Sequence, residues 1–190
     1  KIGSVIVGLM VSVFTASNAA HTLNLYGRDA EGKNGVVAEA KPEVSQIGVE
    51  VLKKGGNAVD AAVATAFAIS VFEPNASGIG GGGFMLIRMA KTGKTVVIDY
   101  REKAPAKATP DMFVLDENGK VVNDEITVGG KASGVPGTVA GLLTALEKYG
   151  TMKRADVMAP AIKFAKEGIP VTVNLESIIK DNYEKLTQFD

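Results

Sequence analysis

The chain contains 190 residues, of which 21 are basic and 21 are acidic, so it carries no formal net charge. This balance gives no electrostatic reason to expect a nucleic acid or an anionic membrane as a partner. Cysteine is absent and His21 is the only histidine in the sequence. This chain by itself therefore cannot build a disulfide, a thiolate or multi-histidine metal site, or a histidine-based catalytic triad.

Residues 1–20 are typical of a secretory signal peptide, because one lysine is followed by an apolar run over residues 5–16 and then by small residues. The run is shorter than the roughly 20 residues needed to span a bilayer, so an uncleaved anchor is the less favoured alternative. Residues 21–35 are polar and contain glycine, and we predict that they form a flexible leader. A protein with these features would be periplasmic or secreted.

Two helices are predicted next. The first begins at Pro42, a residue that the first helical turn tolerates, and ends by Lys54 before two glycines. Asn57 is suited to cap the second helix, whose residues 61–72 carry no charge. A surface helix would show polar residues in every turn, so this helix is predicted to be buried nearly all round and covered by more than one layer of structure.

Strands and further helices follow. Residues 84–89 and 95–101 are predicted strands, and apolar residues on both faces of the second indicate a strand that is covered on both sides. The sequence DENG at residues 116–119 predicts another hairpin. Helices are then predicted over residues 138–149, near residues 155–166 and from about residue 174. A break of the second of these helices at Pro160 is an alternative. This order of elements predicts an α+β (α/β) chain.

The stretch SGIGGGGF at residues 77–84 satisfies the G-x-G-x-x-G spacing of a dinucleotide-binding turn. That fingerprint needs a strand, then glycines, then a helix whose amino end supplies free N–H groups. Here a predicted helix precedes the glycines and a strand follows them, so no helix amino end is expected in this loop and phosphate binding is disfavoured. The glycines are instead predicted to permit positive φ angles and a close approach of another backbone segment.

The sequence DYREKAP at residues 99–105 holds the sharpest chemical feature. Asp99 and Arg101 emerge on one face at the end of a buried strand, and Glu102 is adjacent. The guanidinium of Arg101 could bind a substrate carboxylate through two hydrogen bonds. Taken from these residues alone, an internal ion pair of Arg101 with Asp99 or Glu102 is the favoured alternative.

Other candidates for chemistry are weaker. Ser77 and Ser133 lie beside glycines, as in an oxyanion site, but the sequence offers no histidine to act as a base. The adjacent carboxylates Asp124 and Glu125 fall in a predicted loop and are expected to be solvated. The residues therefore show no complete catalytic apparatus, and the chain is either not an enzyme or a part of one.

Three separated segments resemble the start of the large subunit of a bacterial γ-glutamyltranspeptidase. They are residues 39–86, which run from EAKPEVSQ to GGGFML, the DYREKAP segment at 99–105, and GVPGTVAGL at 134–142. The resemblance extends over roughly residues 36–190, whereas residues 1–35 do not contribute to it. It implies that residues 36–190 are the N-terminal portion of the large subunit and form an incomplete domain.

The resemblance also implies a fold and an activity. The family has the four-layer α/β/β/α sandwich of the N-terminal nucleophile hydrolases, and a precursor cuts itself into a large and a small subunit. The new amino-terminal threonine of the small subunit is the nucleophile, and its own amine can serve as the base, so no cofactor, metal or histidine is needed. That threonine would lie beyond residue 190, so this chain is expected to hold no catalytic residue and to be inactive alone.

The substrate implied by the resemblance is glutathione or another γ-glutamyl compound, whose glutamyl group passes to water or to an acceptor amino acid or peptide. Arg101 matches the arginine that binds the α-carboxylate of the glutamyl group, and Glu102 matches a supporting neighbour. The expected partners are this substrate and the small subunit from the same precursor. A related acylase, a poly-γ-glutamate transpeptidase, and a secreted non-catalytic module that binds amino acids or peptides remain alternatives.

Overall fold

The computed structural model describes residues 30–188, so the predicted signal peptide and residues 21–29 of the predicted leader lie outside the described residues. The chain divides into two units, residues 1–36 and 37–190. In the first unit, residues 30–36 are exposed and contain neither helix nor strand. Among the described residues, no helix is long and apolar enough to cross a membrane. All further description concerns the second unit.

Local capping signals define the first two helices, as predicted. Helix α1 (Pro42–Lys53) has proline in its first turn, and Gly55 follows it with a φ of 89°. Helix α2 (Ala58–Phe72) starts with a reciprocal cap, in which Asn57 Oδ1 accepts the N–H of Asp60 while the Asp60 carboxylate accepts the N–H of Asn57. Such a cap satisfies backbone donors that the helix itself leaves free.

Helix α2 lies at the centre of the core. Helices α1, α3 (Thr138–Tyr149) and α4 (Arg154–Glu167) all pack against it. Ten of its 15 residues are buried, which confirms the prediction of a helix covered on more than one side. The largest apolar side chains that are fully buried in this cluster are Val44, Val63, Leu142 and Val157.

Helix α4 runs without a break through Pro160, so the alternative of a broken helix is wrong. Proline lacks an N–H, so only the carbonyl of Asp156 loses its usual partner within the helix. Val157 and Ala161, on either side of this point, are buried against the core and hold the helix in place. Two further helices, α5 (Val173–Asp181) and α6 (Tyr183–Leu186), follow.

The two predicted strands form an antiparallel pair, β1 (Phe84–Arg88) and β2 (Thr95–Asp99). One face packs on the helices through side chains such as Ile87 and Ile98. On the other face Leu86 and Val97 are directly paired and are 70% and 59% exposed. Residues 30–188 therefore do not themselves supply the second cover predicted for β2, because the described helices lie on one side of the sheet only.

The segment between the sheet and α3 contains turns rather than strands. A single antiparallel bridge joins Leu115 to Val121 around the predicted DENG turn, in which Gly119 has a φ of 76°. Short 3-10 helices follow at Val122–Asp124 and Gly130–Ala132. The predicted turn is confirmed, but the flanking strands are reduced to one bridge. The unit thus combines helices with an antiparallel pair of strands, in agreement with the predicted α+β class.

Candidate functional site

The residues that follow β2 carry the candidate site. The carboxylate of Asp99 accepts the backbone N–H of Arg101 at 3.0 Å, which turns the chain out of the strand. The Arg101 side chain is 57% exposed, and its Nη2 lies 3.2 Å from Oε2 of Glu102. The internal ion pair expected as an alternative is therefore present with Glu102, whereas Asp99 binds the backbone of Arg101.

Glu102 leaves much of the Arg101 guanidinium available. Its Oε2 is buried and receives no hydrogen bond of good geometry from the residues that the structure describes, so the 3.2 Å contact is an ion pair without a directed hydrogen bond. A guanidinium carries five N–H donors in a planar fork, and one carboxylate oxygen occupies few of them. The ion pair and the capacity to bind a second carboxylate are thus compatible.

The glycine segment packs directly against this backbone. Gly83 and Tyr100 exchange hydrogen bonds of 3.3 and 2.9 Å. A Cβ atom added to Gly82 would lie 2.7 Å from the backbone nitrogen of Glu102. The predicted close approach of another segment is confirmed. The predicted positive φ angles are not found at residues 78–83. Glycine is needed here because it lets another backbone segment approach closely, and not because of an unusual backbone conformation.

A helix amino end does meet the glycine segment, contrary to the expectation from the order of elements. The N–H groups of Gly137 and Thr138, at the start of α3, donate to the carbonyl of Gly81 at 2.9 and 3.0 Å. The order of elements showed only that the neighbouring helix α2 does not point its amino end at the glycines. In the fold, the distant helix α3 places its amino end there instead. Because both of these N–H groups are already satisfied, they are not free to bind a phosphate.

The Tyr100 side chain packs between the glycine segment and α3. Its ring packs against Gly83 and lies so close to Gly141 in α3 that a Cβ there would overlap it. Burial raises the pKa of the Tyr100 phenol above its ordinary value, so the side chain remains neutral near pH 7. Tyr100, Gly137 and Thr138 are site residues that were not predicted, although they lie in the segments DYREKAP and GVPGTVAGL that carry the family resemblance.

Arg101 and Glu102 border a cleft of about 360 Å³. The cleft lies between the end of α2, the glycine segment and the start of α3, and Ser70, Ser77 and Thr138 contribute hydroxyl groups to it. A larger hollow of about 640 Å³ between α1 and α4 contains neither Arg101 nor Glu102. The smaller cleft combines a cation with polar side chains and suits a small polar molecule that bears a carboxylate.

The other candidates remain apart from this cleft. Ser133 lies at the end of the 3-10 helix Gly130–Ala132 and Asp124 is exposed. Glu125 is partly buried and forms a 2.7 Å ion pair with Lys131, so the expectation of a solvated carboxylate is met by Asp124 only. Among the ionisable and hydroxyl residues named from the sequence, Ser77, Arg101 and Glu102 line the cleft, whereas Asp99, Asp124, Glu125 and Ser133 do not. The described part of the chain contains no group of acidic or histidine side chains arranged to hold a metal ion.

Comparison with known proteins gives one consistent family. The family model described as Gamma-glutamyltranspeptidase matches residues 44–190. The chain is 54% identical over 158 residues to a glutathione hydrolase proenzyme of Bacillus subtilis (strain 168), covering 83% of this chain and 27% of that protein. It is 44% identical over 166 residues to an Acylase ACY 1 proenzyme of Pseudomonas sp. (strain V22), covering 85% of this chain and 30% of that protein.

A solved structure agrees with this match. The crystal structure of Helicobacter pylori γ-glutamyltranspeptidase superimposes with a TM-score of 0.79 at 44% sequence identity, over 85% of this chain and 46% of that one. The chain spans between a quarter and a third of the length of these two curated relatives. Since the family model covers most of the residues and a fold of the same family superimposes on them, this chain belongs to the γ-glutamyltranspeptidase family.

Proposed function

We propose that this chain is part of an enzyme that cleaves γ-glutamyl bonds and passes the glutamyl group to water or to an acceptor amino acid or peptide. The observation that carries the proposal is the half-exposed guanidinium of Arg101 at the edge of a polar cleft, in a chain of this family. Glutathione is the proposed substrate, because a relative with 54% identity is named a glutathione hydrolase proenzyme.

Arg101 is proposed to bind the α-carboxylate of the γ-glutamyl donor. A carboxylate can take two parallel N–H donors of a guanidinium, which fixes both the position and the orientation of the donor. Glu102 is proposed to hold the guanidinium from the opposite side, since its buried Oε2 lies 3.2 Å from Nη2. With the α-carboxylate anchored, the γ-carbonyl group would be directed away from Arg101 toward the reacting group.

The nucleophile is proposed to be an amino-terminal threonine of the small subunit, which is the second partner of this chain. Its hydroxyl would attack the γ-carbonyl carbon while its amine takes the proton and then delivers it to the leaving amine. Water or an acceptor amine would then release the glutamyl group from the threonine ester. The proenzyme names of the relatives support a precursor that is processed into subunits. No step requires a cofactor or a metal ion.

The four-layer α/β/β/α sandwich is proposed for the complete domain, of which residues 36–190 would be the N-terminal portion of the large subunit. The sheet presents an apolar outer face, where Phe84, Leu86 and Val97 are 63%, 70% and 59% exposed. An antiparallel sheet with apolar residues on both faces suits a second sheet packed about 10 Å away. Residues 1–20 are proposed to be the signal peptide of a periplasmic or secreted enzyme.

An acylase on the same scaffold is the second candidate, because one relative is named an acylase. A glutaryl donor is a matched probe for an acylase, because it retains the carboxylate of the γ-glutamyl donor but lacks its α-amino group. A poly-γ-glutamate transpeptidase and a non-catalytic binding module are two further candidates. Arg101 is compatible with each of the carboxylate-bearing donors and therefore does not separate them by itself.

Three anilides test the proposal in the complete protein. The γ-glutamyl anilide should release its aniline fastest, and 4-aminobutanoyl anilide, which lacks the α-carboxylate, should react at least about tenfold more slowly. Faster release from glutaryl anilide than from γ-glutamyl anilide would favour the acylase instead. A protein that binds glutamate but releases aniline from none of the three would be a binding module.

A further inference from the structure

The backbone of Tyr100 and Arg101 passes between two glycines that are far apart in the sequence. On one side, a Cβ added to Gly82 would lie 2.5 Å from the Tyr100 carbonyl oxygen and 2.8 Å from Arg101 Cα. On the other side, a Cβ added to Gly137 would overlap the Tyr100 carbonyl oxygen and lie 3.3 Å from that of Arg101. These are backbone atoms that cannot rotate away, so any relief requires a shift of the chain itself.

Backbone hydrogen bonds hold the segment of residues 100–103 at both of its ends. Gly83 and Tyr100 exchange two of them on one side. On the other side, the N–H of Lys103 donates to the carbonyl of Val135 at 3.2 Å, and the N–H of Val135 donates to the carbonyl of Lys103 at 2.8 Å. The segment of residues 100–103, which contains Arg101, is therefore held by backbone hydrogen bonds at both of its ends.

The Arg101 side chain has few contacts of its own, because it is 57% exposed and pairs with Glu102 alone among the described acidic groups. The position of the Arg101 side chain therefore depends mainly on the position of its own backbone. We infer that Gly82 and Gly137 are positioning residues, which place Arg101 for the α-carboxylate of the γ-glutamyl donor. This inference rests on the function proposed above and goes beyond it, since it assigns a role in substrate binding to two residues that do not touch the substrate.

Alanine at Gly82 must move the backbone by about 0.5 Å, because Cβ contacts shorter than 3.0 Å essentially never occur and the available distance is 2.5 Å. Binding groups must be held within about 0.5 Å of their productive position, and a misplacement of about 1 Å can reduce a rate by about 100-fold. For Gly82→Ala and Gly137→Ala we expect the KM for γ-glutamyl anilide to rise about tenfold or more, with kcat changed less than about threefold.

Two other glycines provide matched control variants. A Cβ added to Gly80 or to Gly130 meets nothing within 4 Å, and neither residue has a positive φ. Gly80→Ala and Gly130→Ala should therefore leave KM within about twofold of the unsubstituted value. A donor without the α-carboxylate, 4-aminobutanoyl anilide, provides the second comparison. Its kcat/KM should change less than about threefold in all four variants, because it makes no use of Arg101.

The results separate this inference from the proposed function. If the unsubstituted protein releases no aniline from γ-glutamyl anilide, the proposed function is wrong. If that protein is active but the Gly82 and Gly137 variants behave like the controls, or lose both donors equally, the positioning role is wrong.

Hydrogen exchange tests the positioning role when the variants do not fold. In the unsubstituted protein, saturating L-glutamate should slow the exchange of the Gly83 and Tyr100 amide protons, and Arg101→Lys should remove this protection. An exchange rate that glutamate does not change in the active protein would overturn the inference.

Discussion

The carboxylate of Asp60 accepts the backbone N–H of Thr151 at 2.9 Å and the Thr151 hydroxyl at 2.7 Å, which joins the start of α2 to the turn after α3. The same carboxylate also caps the N–H of Asn57 and accepts the N–H of Met152. Burial alone would raise the pKa of Asp60, but the hydrogen bonds from Thr151, Asn57 and Met152 together lower it below its ordinary value. The charged form is thus part of the native fold.

Asp60→Asn keeps the shape of this side chain but replaces an acceptor oxygen by an amide group that cannot accept. Hydrogen bonds to a charged group are worth about 1.5–3 kcal/mol, so the variant should be destabilised by about that amount or more. A thermal or urea unfolding experiment on the complete protein measures the change. Asp124→Asn, in an exposed turn, is the matched control and should leave stability within about 0.5 kcal/mol. Equal stability of the two variants would contradict the role of Asp60.

The contribution of Asp60 should depend on pH in a defined direction. Because its pKa is lower in the folded than in the unfolded state, its stabilisation is fully present above the unfolded pKa of about 4 and is lost as the pH falls through the folded value. The difference in melting temperature between the unsubstituted protein and Asp60→Asn should therefore be constant near neutral pH and shrink below about pH 4. A difference that grows on acidification would mean that the native state prefers the protonated carboxyl.

Arg101→Lys retains the positive charge but replaces the planar fork by a single ammonium group. The loss of one bidentate charged contact, worth about 1.5–3 kcal/mol, should raise the KM for γ-glutamyl anilide about tenfold or more. Steady-state kinetics on the complete protein measure this change. The exposed Arg154→Lys, at the start of α4, is the control and should not alter KM. An unchanged KM in Arg101→Lys would rule out the proposed contact with the α-carboxylate.

Glu102→Gln removes the ion pair with Arg101 and preserves the size of the side chain. Partly exposed ion pairs contribute at most about 1 kcal/mol, so the KM for γ-glutamyl anilide should rise by no more than about fivefold, less than in Arg101→Lys. The same kinetic assay applies. A KM below that of the unsubstituted protein would show that repulsion between Glu102 and the donor carboxylate outweighs any support of Arg101.

Residues 1–190 produced alone should release no aniline from γ-glutamyl anilide, because the proposed nucleophile belongs to the small subunit. The complete protein, assayed at the same molar concentration, is the positive control. Measurable turnover by the 190-residue chain would show that the nucleophile lies within it. Ser77→Ala would then be the first variant to test, since Ser77 lies in the cleft with Arg101.

Local features could be predicted closely from the sequence. The limits of α1 and α2 depend on Pro42, Gly55 and the Asn57 cap, whose partners lie within a few residues along the chain. The burial of α2 could be predicted too, because its residues 61–72 carry no charge. The family was identified from segments in order along the chain, and its Arg101 does lie at a cleft.

Other features depend on contacts between distant segments and could not be predicted from the local sequence. The break at Pro160 did not occur, since packing on the core outweighs the loss of one helical hydrogen bond. The exposure of Val97 follows from the helices lying on one side of the sheet. Neither result can be read from the immediate neighbours of these residues.

Sequence alone determined that a glycine-rich segment precedes the strands and that an arginine and a glutamate follow them. Only the tertiary structure decided what these parts do together. It brings the start of α3 onto Gly81 and passes the backbone of Tyr100 between Gly82 and Gly137. The physical reason is steric, because glycine has no Cβ atom. The glycine segment, the backbone of Tyr100 and the start of α3 can therefore approach within hydrogen-bonding distance. These segments are remote in the sequence and meet only once the chain has folded.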